Sequence, residues 1–391
     1  MTIVRPFPYR VAGIHAQIGE VMPIDEWARL VRVPHRYHPE RSVSGEEITR
    51  LIGVHGKSWD AERRFASLDA LVEVARGALA SADLRPGDVE HFVLSTSSPH
   101  RIMLDQDSFS LARRIGVPDD VVPLQMGAGC GGLGRAVAAL SRTGLKNSLV
   151  ICFNAVSPMM EPDGASPPLY IDNALHPFAN TLWFTGALFS DACTAIVFRH
   201  DADSRGLCLY SRDSHSFGEE PGFRDSLVHY PGGGLENPPC RPGSEQMSAF
   251  GLNTQALAKY YAGGMMLNHR ALEEAMPGYV QAVRRIYTHQ AGPQMVENFA
   301  ELARLPRGKV PTNVRQLGNL VSAATPVLFY TDYLHDEIGN GDLACFSVVG
   351  AGPERGAFIA PVHIPAPVAR TRPQVPRPMD ARDPVQPRAR V

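Results

Sequence analysis

Gly127-Ala-Gly-Cys-Gly-Gly-Leu-Gly134 is the most informative stretch of this chain. It sets one thiol, Cys130, between an expected strand, Val121 to Gln125, and an expected helix, Cys130 to Arg142. The helix follows from Leu133, Ala136, Val137 and Leu140, which recur at spacings of three and four. A thiol at a helix start is expected to titrate low, because unpaired N–H groups and the positive end of the helix dipole favour the thiolate. The surrounding glycines let an acyl chain or a substrate backbone come close. On its own, a lone cysteine here is ordinarily a small buried residue packing a helix start. Gly127, Gly129 and Gly132 also fit a dinucleotide fingerprint. Such a site needs an acidic residue closing the next strand, and here that strand ends in Phe153-Asn154-Ala155, with no carboxylate before Glu161.

Outward from this motif the chain alternates helix and strand, which predicts an α/β fold. Helix Leu68 to Ser81, strand His91 to Ser95 and helix Gln106 to Arg114 precede the motif. Strand Ser148 to Ala155, apolar almost throughout as a sheet covered on both faces demands, and strand Thr194 to Phe198 follow it. The second half repeats the order: helix Ala271 to Arg284, strand Arg285 to Thr288, helix Leu320 to Asp336, strand Leu343 to Val349. In that repeat Asn319 occupies the helix start that matches Cys130, and His289 ends the strand that matches Val93 to Ser95. A pseudo-twofold would bring the two helix starts together. Taken singly, a histidine at a strand end is ordinarily a hydrogen-bonded or surface residue, and an Asn after Gly a helix cap.

Ser211 to Met247, rich in Gly, Pro and charge, reads as a long excursion, and Pro361 to Val391 as an extended or disordered Pro/Arg tail. The expected organisation is a first half over 1–200 with the cysteine, a second half over 201–365 with His289 and Asn319, and a tail over 366–391. The chain of 391 residues, 44% hydrophobic and 20% charged, has room for a large core, and its net charge of -2 gives no global attraction to nucleic acid or anionic lipid. No apolar run suits a signal peptide or a membrane span, so a cytoplasmic protein is expected. The six cysteines show no paired spacing and are read as free thiols, and no metal-ligand spacing is present.

At these residues the sequence resembles the β-ketoacyl-acyl carrier protein synthase III group of the thiolase superfamily, over about Gly53 to Val362. Glu62-Arg-Arg-Phe-Ala66 looks like the group's Glu-Arg-Arg-Ile-Ala, and Ala187-Leu-Phe-Ser-Asp-Ala192 like its Leu-Phe-Gly-Asp-Gly-Ala. His289-Gln-Ala resembles the start of His-Gln-Ala-Asn, and Gly318-Asn319 with Ser322-Ala-Ala resembles Gly-Asn-Thr-Ser-Ala-Ala. The resemblance implies a thiolase fold: two similar βαβαβαββ halves in a five-layered α-β-α-β-α core. It implies Cys130 as the acyl-carrying nucleophile and His289 with Asn319 as the pair that binds the extender thioester carbonyl. It also implies an oxyanion hole from the N–H groups of Cys130 and Ala351, and a homodimer. The expected reaction is decarboxylative Claisen condensation with a malonyl or β-ketoacyl carrier protein, in polyketide- or fatty-acid-type metabolism. No cofactor is needed beyond the phosphopantetheine or coenzyme A that carries the acyl group.

Departures from the pattern bear on substrate. Ala351 and Gly292 replace the group's Gly and Asn, and Ser157 to Trp183 is longer than its counterpart, which suits either extra packing or an enlarged acyl tunnel. Trp59 is the candidate for the adenine clamp not evident ahead of Gly53. Asp105 and Asp107 lie in the loop from which relatives that join two acyl chains without decarboxylation supply a carboxylate to the partner subunit. Their ordinary role is a helix cap. The alternatives are therefore non-decarboxylative joining, acyl transfer from Cys130 to a hydroxyl or amine, and a catalytically silent carrier-binding subunit.

Overall fold

The computed structural model describes residues 2–32, 34–35, 38–101, 104–160, 186–212, 228–229, 238, 240, 251–252, 254–370 and 374–383. In chain order its principal strands are β1 (Val4–Phe7), β2 (Tyr9–Ile18), β3 (His91–Thr96), β4 (Pro123–Gly127) and β5 (Asn147–Asn154). They continue with β6 (Ala192–His200), β7 (Gly206–Ser211), β8 (Arg285–Thr288), β9 (Leu343–Gly350) and β10 (Glu354–Pro361). The principal helices are α1 (Asp69–Ser81), α2 (Gln106–Ile115), α3 (Gly132–Leu140), α4 (Thr254–Ala275), α5 (Pro293–Leu302) and α6 (Ala324–Leu334).

One sheet runs β2-β6-β5-β3-β4 and the other β1-β7-β10-β9-β8. In the first, β3 pairs in parallel with β4 and β5, while β6 is antiparallel to β5 and β2. The second repeats this: β8 is parallel to β9, and β10 is antiparallel to β9 and β7. Helices α3 and α6 lie between the sheets, α1 and α2 cover the outer face of the first, and α4 and α5 that of the second. These are the five layers of the thiolase fold.

Strands β5, β6 and β9 are apolar nearly throughout because both their faces are covered. Val93 and Val150 turn inward to a central core with Leu133, Val137, Val327 and Phe358. Their neighbours Phe92, Leu94, Leu149 and Ile151 turn outward against Leu71, Ala75 and Ala78 of α1. The period of two along each strand thus feeds two cores at once.

Several expectations need correction. The two halves are not separated at residue 200, since β1 pairs antiparallel with β7 and so joins the second sheet, while β2 edges the first. Neither was foreseen, because Arg5 and Pro6 interrupt one strand and Arg10, His15 and Gln17 the other. The helix expected at 271–284 is the end of the longer α4, followed by a short turn of helix at Tyr279–Ala282. Gly263 and Gly264 hid its beginning, and a methyl on Gly264 would sit 3.0 Å from Val349 of β9. The start of α5 carries a Pro at its first turn, a signal present in Gly292-Pro293.

The tail is folded over much of its described length. Ala366 N donates to Ser81 O at 3.1 Å, Tyr330 Oη donates to Ala369 O at 2.8 Å, and Met379–Asp380 pairs with Pro311–Thr312. Val375 and Ala381 are buried, and the guanidinium groups of Arg377 and Arg382 reach Glu337 and Leu305 O. A Pro-rich chain lacks internal hydrogen bonds but can take them from a neighbouring surface, which composition alone does not reveal. Most of the 211–247 excursion and most of Ser157 to Trp183 lie outside the described residues.

Candidate active site

The structure brings Cys130, His289 and Asn319 to the centre of the molecule, each at the end of a core element. Cys130 lies between β4 and α3, His289 follows β8, and Asn319 precedes a turn of 3-10 helix (Val321–Ala323) that leads into α6. All three are buried. Beside Cys130 is a cavity of about 170 Å³, lined among others by Gly127, Gly129, Phe189, Tyr261, Ala351 and Glu354.

The Cys130 thiol is not activated by its position. Burial pushes it up to about 11, the Glu354 carboxylate adds to the rise, and the Tyr261 hydroxyl, the residue's own N–H and the Asn319 side chain pull the other way. The helix dipole expected to lower it is outweighed because Cys130 sits among protein atoms two residues before α3 begins. The glycines also act differently from expectation. A methyl on Gly131 would meet the Glu354 side chain, one on Gly132 the Ser95 hydroxyl, and one on Gly134 the side chain of Val348. These three let protein elements close on one another, while a methyl on Gly127 would meet nothing within 4 Å.

Asn319 is fixed from three sides. Its N–H donates to Leu188 O at 2.8 Å, its carbonyl accepts from Ser190 N at 3.0 Å, and its Oδ1 accepts from Val321 N at 2.8 Å. Val321 holds this bond at a φ of 55°, a left-handed conformation costly for a β-branched residue. With Oδ1 engaged, the amide NH₂ remains as the group facing the thiol. The 186–189 segment is itself held by Lys57, a fully buried cation whose Nζ donates to the carbonyls of Gly186, Ala187 and Phe189 and lies 4.6 Å from the Trp27 ring centroid. Burial pulls this amine down, with Asp191 opposing.

His289 is the unfinished part of the site. Neither ring nitrogen has a hydrogen-bond partner among the described residues. Burial holds the imidazole down at about 3, so it is neutral, with one N–H to give and one lone pair to accept. Its ring lies 5.2 Å from that of Tyr261, whose Oη donates to Cys130 Sγ at 3.6 Å. Tyr261 gave no sequence signal because it comes from the part of α4 that the glycines concealed. Glu354, also unforeseen, is buried, takes both oxygens to the Arg135 guanidinium at 2.7 and 2.9 Å, and accepts from Tyr210 Oη at 2.6 Å.

The remaining candidates are placed as follows. Ala351 lines the Cys130 cavity. Asp107 is buried and accepts from His100 N at 2.6 Å and Arg101 N at 3.3 Å, which binds the loop ahead of α2. Asp105 is exposed and makes no side-chain cap to α2, so the cap expected of these residues is not formed by it. Neither aspartate lines the cavity. Trp59 is buried edge-on against Trp27 and near Lys57, so it offers no surface clamp.

The match to known proteins follows this arrangement. Residues 278–361, from just before β8 to the end of β10, match the family model for the 3-oxoacyl-[acyl-carrier-protein (ACP)] synthase III C terminal. The β-ketoacyl-[acyl-carrier-protein] synthase III of Cereibacter sphaeroides is 26% identical over 355 residues, covering 84% of this chain and 98% of its own. The chain resembles the β-ketoacyl-acyl carrier protein synthase III enzymes.

Solved structures agree on the fold of this synthase III-like chain. A 3-oxoacyl-(acyl-carrier protein) synthase from Burkholderia xenovorans superposes with a TM-score of 0.71 at 17% identity, over 94% of this chain and 97% of that one. The priming β-ketosynthase of the R1128 polyketide pathway gives 0.69 at 17% identity, over 93% and 99%. Within the synthase III-like motif Ala187 to Ala192, Asp191 serves structure: its carboxylate accepts from Val156 N, Ser157 N and Asp60 N. No described helix is long and apolar enough to cross a membrane.

Proposed function

We propose that this protein is an acyl-condensing enzyme that carries its acyl group on Cys130 and extends it by decarboxylative Claisen condensation with a malonyl carrier protein. The observation that carries the reading is His289: a neutral, buried imidazole with neither nitrogen partnered among the described residues, beside the tyrosine that touches the thiol. Buried polar groups left without partners are costly, and a thioester carbonyl supplied by substrate is the partner this one fits.

Loading begins when Cys130 Sγ, having lost its proton, attacks the acyl thioester carbonyl and expels the carrier thiol. The N–H groups of Cys130 and Ala351 hold the oxyanion. Loss of carbon dioxide from the malonyl group leaves an enolate, whose oxygen is stabilised by the His289 N–H and the Asn319 NH₂. Its carbon then attacks the acyl group on Cys130. Neutral donors suit this step, because the developing charge meets hydrogen bonds already in place. The protein is proposed to act as a homodimer, with acyl carrier protein as its macromolecular substrate.

The test is malonyl-carrier-protein-dependent release of carbon dioxide by protein already acylated at Cys130. The reading expects one equivalent of carbon dioxide per condensed product, and it expects His289→Ala and Asn319→Ala to load normally but lose condensation by about 100-fold or more. Condensation without carbon dioxide release, abolished by replacing Asp105 and Asp107, would instead support the non-decarboxylative route.

A further inference from the structure

The hydroxyl of Tyr261 meets the nucleophile directly, and no motif of the sequence pointed to it. It comes from α4, donates to Cys130 Sγ at 3.6 Å, and has its ring 5.2 Å from that of His289. The residue is buried. Glu354 lines the same cavity, its carboxylate pinned by Arg135 and Tyr210. The tyrosine therefore offers the sulfur a proton to share, while the Glu354 charge is met by the Arg135 guanidinium.

We propose that Tyr261 is a further catalytic residue, a hydrogen-bond donor to Cys130 Sγ that stabilises the sulfur anion each time it forms. In loading, the sulfur bonds to the acyl carbonyl carbon, the carrier's carbon–sulfur bond breaks, and the carrier leaves as a thiolate that takes up a proton. In condensation the enolate carbon bonds to the same carbonyl carbon, and the bond from that carbon to Sγ breaks. The electron pair returns to Sγ, where the Tyr261 O–H receives it, and a proton from solvent restores the thiol. Tyr261 keeps its own proton throughout, since burial, with Cys130 and Glu354 adding to it, pushes its hydroxyl far above the ordinary phenol range. A hydrogen bond to an anion in a dry site is worth more than one to a neutral thiol, so the contact favours the charged species selectively. The role rests on Cys130 being the acyl carrier.

The experiment is iodoacetamide alkylation of Cys130, followed by peptide mass at fixed pH, in the native protein, in Tyr261→Phe, and with 3-fluorotyrosine at position 261. Loss of the donor should reduce the thiolate population about 10- to 100-fold. A more basic thiolate is the better nucleophile and recovers about half of that loss on a logarithmic scale, so the Phe variant should alkylate about 3- to 10-fold slower. The fluorinated ring, with the same shape and a more acidic hydroxyl, should alkylate faster than the native protein. A Phe variant with a disrupted pocket would expose the thiol and react faster, the opposite sign, and the fluorotyrosine result then decides. Native rates in both variants would overturn the proposal. Alkylation needs no acyl donor, so that outcome is distinct from failure of the condensing reading, which would appear as a native protein that never takes up an acyl group.

Discussion

At the scale of single residues, the site rests in a neutral state. Cys130 at about 11 and His289 at about 3 are both driven by burial toward their uncharged forms. The alkylation rate of Cys130 should therefore rise close to tenfold per pH unit from pH 7 to 10, with no plateau near 8, in a mass-resolved time course. An activated thiolate would level off within that range. His289 has a consequence for stability. Its folded-state value lies below the unfolded value near 6.5, so between about pH 3 and 6.5 the unfolded chain binds more protons and stability increases with pH. As pH falls through this window the native protein should lose stability on the order of 4 kcal/mol from this residue. His289→Phe should show a shallower acid limb in chemical denaturation at pH 4 to 7, and an unchanged limb would contradict the burial of a neutral imidazole.

At the scale of elements, the position of Asn319 depends on a chain of contacts that begins at Lys57. The ammonium group holds the carbonyls of Gly186, Ala187 and Phe189, and the adjoining backbone bonds hold Asn319. Lys57→Met leaves those carbonyls and the buried Asp191 without their cation. It should cost about 3–5 kcal/mol in denaturant unfolding, with condensation falling further than acyl loading. A substitution silent in both would remove Lys57 from this account. The same elements show what the sequence made readable. Cys130, His289 and Asn319 were legible because each sits where a regular strand or helix ends, and their matching places in the repeat are a property of order along the chain. Tyr261 was not, because Gly263 and Gly264 break the apolar period of α4. Glu354 was not, because its significance lies in Arg135, 219 residues away in sequence. The direction of the Cys130 shift was misread for a related reason: a helix dipole can be inferred locally, whereas burial depends on every element that packs around the thiol.

At the scale of the whole molecule, the two halves are joined by more than the central helices. Strand β1 crosses to the second sheet, and the tail lies against α6 and the 308–312 segment. Truncation after residue 370 removes buried Val375 and Ala381 and the pairing of Met379–Asp380. The cost should be about 2 kcal/mol in unfolding free energy. A truncated chain of native stability would restore the reading of a disordered tail. The five-layered arrangement itself places two residues of the second half, His289 and Asn319, around one thiol of the first, and the account stands on that thiol carrying the acyl group. The most direct measurement is the intact mass of native protein and of Cys130→Ala after incubation with a panel of acyl thioesters on coenzyme A and on carrier protein. The account predicts a gain of one acyl group that is absent from the variant. No gain with any donor, or a gain that survives the substitution, would contradict it.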